Sequence, residues 1–295
     1  MGHRLRLGLL CGLILMQSAS AHSTPFPAAE PLIGIDHIPL AVNDVEAAAD
    51  TYRRLGFAIK PGHLHPDGIR NQHVKFADGA GIELITAPAA TDELATQYHQ
   101  LLAGGEGPAF VSFHSARLDA LGAALRRRQI GYTVNGTMVL PASRALQSFF
   151  LFAGSNRSPT DRPENFAHTN TARATIGVWI AGGDQPAMLA FFEALGARVR
   201  QQRVWVPDPL TATVAQVANG AIIFLPANRQ LIKGRPIVGV VFRTQSIEAA
   251  RSALEAAGIE KPREVSTPDY RSVFAPPQAT HGTWLEFRVA RMSGR

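Results

Sequence analysis

Hydrophobic and polar positions recur in one order four times along the chain: an apolar strand-like run, a polar turn, an Ala/Leu-rich stretch with helical spacing, and a glycine. The first copy reads Ile35-Asp36-His37-Ile38-Pro39-Leu40-Ala41-Val42, turns at Asn43-Asp44, and predicts a helix over 45–55 that stops at Gly56. Asn43 or Asp44 suits the N-cap, because its side chain accepts from amides that the first turn leaves unpaired. Gly56 suits the left-handed residue that closes a helix. The second copy predicts a strand over 110–113, a helix over 118–129 and a stop at Gly131. The third gives 176–180, 186–195 and Gly196; the fourth gives 237–242, 247–257 and Gly258.

After each glycine the spacing becomes that of strands. Residues 132–139 contain Asn135-Gly136, the pair favoured in a type I′ hairpin, and 74–76 and 82–85 flank Asp78-Gly79-Ala80-Gly81. A closing strand follows at a nearly fixed distance: 27 residues from Gly56 to Glu83, 28 from Gly196 to Phe224, and 28 from Gly258 to Glu286. The second copy is shorter and closes at 148–152. The polar, proline-bearing stretch 155–163 separates the second copy from the third. These patterns predict an α+β chain of four βαβββ modules used in two tandem pairs, 32–154 and 174–291, with a linker at 155–173.

Composition narrows the class. A chain of 295 residues with 46% hydrophobic and 18% charged residues is globular and long enough for two domains. Arg4 and Arg6, the apolar run 7–16 and the small residues Ser18-Ala19-Ser20-Ala21 follow the order of a secretory signal, so residues 1–21 are expected to be removed before His22. About ten apolar residues are too few to cross ~30 Å of hydrocarbon. The expectation is a periplasmic or secreted protein, with no membrane attachment after cleavage. Cys11, the one cysteine, falls in that segment, which leaves His, Asp and Glu for any metal chemistry. Net charge is +6, or +4 without Arg4 and Arg6; Arg126-Arg127-Arg128 ends a predicted helix, and no basic stripe interleaved with aromatics suggests nucleic acid.

Asp36-His37 in an opening strand, Asn43-Asp44-Val45-Glu46-Ala47-Ala48 after it, His65-Pro66 and Asn71 in the next loop, and Ile82-Glu83-Leu84 in the closing strand resemble the vicinal oxygen chelate superfamily, above all its glyoxalase-like members. The resemblance spans roughly residues 33–290 and is most specific in 35–86. It implies two tandem glyoxalase/bleomycin-resistance-like domains, in which paired modules curl into a cup whose inward strand residues bind a divalent metal. Transferred residue by residue, the first-strand ligand position holds His37, Phe110, Gly177 and Gly239, and the last-strand position holds Glu83, Phe150 (or Phe149), Phe224 and Glu286.

Ligand-type residues therefore fall only in the outer modules. If modules one and four share a cup, His37, Glu83 and Glu286 form a metal set suited to Mn, Fe, Ni, Co or Zn. If sequential modules pair, two ligands remain in one cup and one in the other. Glu83 and Glu286 are the candidate catalytic proton carriers, and His65, Asn71 and His281 the candidate substrate contacts. Two functions follow: an exported metal-dependent lyase, isomerase or dioxygenase acting on a small oxygen-chelating substrate, or a metal-free binding protein of the same fold. Either has a small-molecule ligand as its partner, no nucleic acid, and a monomeric or homodimeric state.

Overall fold

Each repeat folds as a strand, a helix and three further strands, which places a period-3.6 segment against a period-2 sheet. Residues 32–65, 68–154 and 157–291 are described by the computed structural model; the expected signal at 1–21 lies outside them. Module one is β1 (Gly34–Ala41), α1 (Val45–Arg54), β2 (Lys60–Leu64), β3 (Arg70–Lys75) and β4 (Gly81–Thr86). A helix that the repeat pattern does not contain, α2 (Glu93–Ala103), and the short β5 (Gly107–Pro108) follow. Module two is β6 (Val111–Ser115), α3 (Leu118–Arg127), β7 (Tyr132–Asn135), β8 (Met138–Pro141) and β9 (Phe149–Ala153). Module three is β10 (Ala172–Ala181), α4 (Gln185–Ala194), β11 (Arg198–Trp205), β12 (Pro209–Val217) and β13 (Gly220–Leu225). Module four is β14 (Ile237–Thr244), α5 (Ile247–Ala256), β15 (Arg263–Ser266), β16 (Tyr270–Ala275) and β17 (Trp284–Ala290).

Local chemistry sets the helix ends. The Asp44 carboxylate accepts from the amides of Glu46 at 2.9 Å and Ala47 at 3.1 Å, and Ser246 accepts from Ala249 at 3.0 Å. Gly56 closes α1 at φ +85°; after α3 the left-handed residue is Gln129 at φ +56°, in place of the expected Gly131.

Sequential modules share a sheet. The first runs β2-β3-β4-β1-β6-β9-β8-β7, with β5 on β1; the second runs β11-β12-β13-β10-β14-β17-β16-β15. Helices pair the other way. α1 of module one packs on α5 of module four, and α3 of module two on α4 of module three. The seam between the halves is one apolar core holding helix and strand residues of both. Phe57 meets Phe242 at 5.3 Å and Phe287 at 5.7 Å between ring centroids, and Phe113 meets Phe192 at 5.1 Å. Fully burying each such ring stabilises the fold by about 1.5–3 kcal/mol. Both sheets thus turn the faces that bear the repeat helices to the common core, and their opposite faces form two separate cups, the first partly covered by α2.

This arrangement corrects the expectation that His37, Glu83 and Glu286 meet. Outer modules do pair, but through helices, on the side of each sheet away from its cup. Glu286 belongs to the second sheet, and among the described residues no three His, Cys, Asp or Glu side chains stand close enough to hold one metal ion.

The connection between the halves is tied down at several described points. Lys60 Nζ reaches the buried Asp161 carboxylate at 2.6 Å, and residues 163–166 form a 3-10 turn. His168 is buried between Phe57 and Phe76, 5.4 and 5.0 Å away between centroids.

Candidate functional site

The first cup is built on an irregularity of β1. Ile35 pairs with Phe113 and His37 with Ser112, so Asp36 is an extra residue in the strand. A regular strand sends neighbouring side chains to opposite faces; one inserted residue puts two consecutive ones on the same face. Ile35 and Ile38 both reach the common core, while Asp36 and His37 both line cavities on the cup side. That bulge converts the sequence pair Asp36-His37 into a side-chain pair, with His37 Nδ1 2.5 Å from Asp36 Oδ1.

Glu83 completes the group from β4, which runs parallel to β1 with His37 opposite Gly81 and Pro39 opposite Glu83. His37 Nε2 is 3.6 Å from Glu83 Oε2. The other carboxylate oxygen accepts from Asn71 Nδ2 at 2.7 Å, and the same amide nitrogen is 3.3 Å from His65 Nε2. Asn71 Oδ1 in turn accepts from the His63 amide at 2.8 Å. A Cβ at Gly62 would fall 1.9 Å from the Asn71 carbonyl, so glycine allows β2 to approach β3 and fix Asn71. His65 and Asn71 therefore do stand beside Glu83, with Asn71 orienting the carboxylate.

His73 sits opposite Glu83 on β3, and with Asp36, His37, Lys75 and Glu83 it lines a cavity of about 250 Å³. A neighbouring cavity of about 260 Å³ is lined by Asp36, His37, Phe152 and Arg157. The two imidazoles are driven apart. Burial lowers the His37 pKa, but the Asp36 hydrogen bond and the charges of Glu83 and Asp36 outweigh it and the net direction is upward. Burial pushes His73 down to about 4, with Lys75, His37 and Lys60 adding to the effect against Glu83. The two rings are thus pushed in opposite directions, His37 toward its cation and His73 toward its neutral form. Ser112, opposite His37, adds a buried hydroxyl with no partner among the described residues.

The remaining ligand positions of this cup hold Phe110 and Phe150, whose rings lie 4.7 Å apart. Asp36, His37, His73 and Glu83 line one cavity, yet among the described residues no three His, Cys, Asp or Glu side chains stand close enough together to hold one metal ion, whose catalytic sites usually keep three protein donors.

The second cup carries Glu286 at the position equivalent to Glu83. Gly239 pairs with Trp284 and Val241 with Glu286, as His37 pairs with Gly81 and Pro39 with Glu83. By the same register the module-three position is Ile223, and not Phe224, which faces the common core. Glu286 is fully buried, and its Oε1 accepts from Ser272 at 2.5 Å and from Arg288 at 2.7 Å. Around it Trp179, Val241, Phe274 and neighbours form an apolar cluster. His281, expected as a substrate contact of the same cup, lies elsewhere: its Nδ1 is 2.7 Å from Glu106 Oε2 in a cavity of about 400 Å³ at the seam of the halves.

Asp36 and His73 were not among the expected site residues. The Asp36-His37 motif was visible, but only the bulge gives Asp36 its role, and facing of His73 depends on register.

This fold and site define a vicinal oxygen chelate protein with two glyoxalase-like halves. A glyoxalase-like domain family profile matches residues 35–205, more than half of the sequence, and the chain belongs to that family. No curated protein matches the sequence. Among solved structures, a catechol 2,3-dioxygenase superposes with a TM-score of 0.60 at 11% identity, covering 90% of this chain and 95% of that one. The Mn(II)-bound glyoxalase from Novosphingobium aromaticivorans gives 0.56 at 11% identity, covering 88% and 82%. A xylose isomerase-like TIM barrel/4-hydroxyphenylpyruvate dioxygenase fusion protein gives 0.62 at 13% identity over 92% of this chain, which spans about half (51%) of that protein.

Proposed function

We propose that the first cup is a metal-independent acid–base site acting on a small carbonyl compound with a neighbouring oxygen. The observation that carries this reading is the placement of the His37 ring between Asp36 at 2.5 Å and Glu83 at 3.6 Å. Asp36 holds the ring and favours its cation; Asn71 aims the Glu83 carboxylate across the cavity. With a substrate in the adjoining cavity against both groups, Glu83 takes the proton α to the carbonyl. The C–H electron pair moves into the enol double bond, and His37 protonates the carbonyl oxygen. Reversal on the adjacent carbon gives an isomerisation, so atoms and charge balance without a redox partner.

Family likeness supports chemistry on oxygen-bearing small molecules, while Phe110 and Phe150 speak against a metal held by this chain. Those two rings favour a second reading, a binding protein without turnover. The N-terminal order of charged, apolar and small residues supports export, with mature protein beginning at His22.

The test is α-proton exchange of hydroxyacetone in deuterated water, followed by proton NMR with EDTA present. The expected result is exchange by the wild-type protein that falls at least about 100-fold in His37→Ala and in Glu83→Gln. Absence of wild-type exchange, or stoichiometric metal in chelator-free protein that is lost in His37→Ala, overturns the proposal.

A further inference from the structure

A cavity larger than either of those at His37 lies elsewhere. It is a groove of about 500 Å³ bounded by α2, β8, β9 and the segment 234–236 of the second half. That volume lies within the range of sites for small organic molecules. Its apolar wall is the Phe110–Phe150 pair, tilted by 33°, with Tyr98 edge-on to Phe110 at 5.8 Å. Its polar rim is made of three exposed carboxamides, Gln97, Gln100 and Gln147. A carboxamide donates and accepts at once, so it pairs with an amide or a ring-nitrogen edge.

Charge is nearly absent from the lining. Its one ionic side chain is Arg235, and both terminal nitrogens of that guanidinium are already taken: Nη1 donates to the carbonyls of Leu101 at 3.3 Å and Gly105 at 2.6 Å, and Nη2 to those of Gly107 at 2.5 Å and Pro108 at 2.9 Å. Among the described residues no carboxylate lines the groove to pair with a cation, and the Arg235 fork is not available to clamp a carboxylate.

We propose that this groove binds an uncharged planar aromatic molecule bearing an amide or heteroaromatic edge, stacked beside Phe110 and Phe150 and hydrogen-bonded by the glutamines. Its lining shares no residue with the two cavities at His37, so it stands whether or not His37 moves protons. Because 234–236 close one side, the site needs both halves of the chain.

Calorimetric titration with benzamide, benzoate and benzylamine tests this on the full-length protein. Benzamide is expected to bind, benzoate about fivefold more weakly, the equivalent of one ordinary hydrogen bond, and benzylamine to give no heat of binding. The Gln100→Ala/Gln147→Ala double variant, altered only at exposed positions, is expected to weaken benzamide by about fivefold or more. His37→Ala is expected to leave it unchanged. Failure of benzamide to bind, equal binding of benzoate or benzylamine, indifference to the glutamine variant, or loss in His37→Ala each overturns the assignment. The hydroxyacetone exchange assay reads the His37 reaction separately.

Discussion

The indole of Trp179 occupies the space that a side chain at Gly239 would need: a Cβ there would lie 2.4 Å from Trp179 Cε3. Gly239 is the second-cup counterpart of His37, so the place of an imidazole is filled by a neighbouring strand's tryptophan. Trp179 is buried and packs on Phe274 and Trp284 at 6.2 and 6.5 Å. The second cup has become core.

Gly239→Ala is therefore expected to destabilise the protein by about 1–3 kcal/mol, the usual penalty of overpacking. Urea unfolding should show a lower midpoint at unchanged slope. Gly239→His should be worse and should not gain metal affinity.

Neutralising a carboxylate beside His37 should lower its pKa. Both Asp36→Asn and Glu83→Gln remove a charge that favours the imidazolium, and Asp36→Asn also turns a charge-assisted hydrogen bond into a neutral one, so it should produce the larger fall. NMR titration of the His37 ring proton measures both. An unchanged value in either variant contradicts the described geometry.

His168 should make the fold acid-sensitive. Its Nδ1 accepts from the Ala58 amide at 2.9 Å and its Nε2 donates to the Lys75 carbonyl at 2.9 Å, so a second ring proton breaks the first bond. Burial lowers its pKa to about 4 from the ordinary 6.5. Between those values the unfolded chain binds more protons, so stability falls as pH drops through 6.5 and the loss levels off below 4. The full effect is about 3 kcal/mol. Urea unfolding between pH 4 and 7 should show a shallower pH slope in His168→Gln than in wild type.

Arg235→Ala should strip the guanidinium from the carbonyls of Gly105, Gly107 and Pro108, while that of Leu101 keeps the Gly104 amide at 3.0 Å. A loss of about 2–4 kcal/mol is expected, and Arg235→Lys should recover little because an ammonium lacks the planar fork. Denaturation midpoints and protease nicking near 104–108 would report it. Wild-type resistance to nicking in both variants would show that the clamp is dispensable.

Much of the architecture was legible because it rests on local rules. The periodicities of 35–42 and 45–55, the Asp44 cap and the Gly56 stop follow from backbone geometry within a dozen residues. Repetition of that unit then fixed α+β modules in tandem. Helix α2 escaped because it stands outside the repeat and buries only Ala95 and Tyr98.

The site was half legible. His37, Glu83, His65 and Asn71 came from one module, where short loops and one sheet hold them together. Glu286 and His281 required knowing which faces of distant modules meet.

By itself the sequence determined the modules, their order and the ligand-type residues available, since hydrophobic period and turn chemistry act over short separations. Tertiary structure alone decided that sheets join neighbouring modules while helices join outer with outer and inner with inner. Burying the faces of the four repeat helices α1, α3, α4 and α5 in one shared core turns the two cups away from it. One inserted residue at Asp36, a matter of pairing between β1 and β6, decided that carboxylate and imidazole share a face.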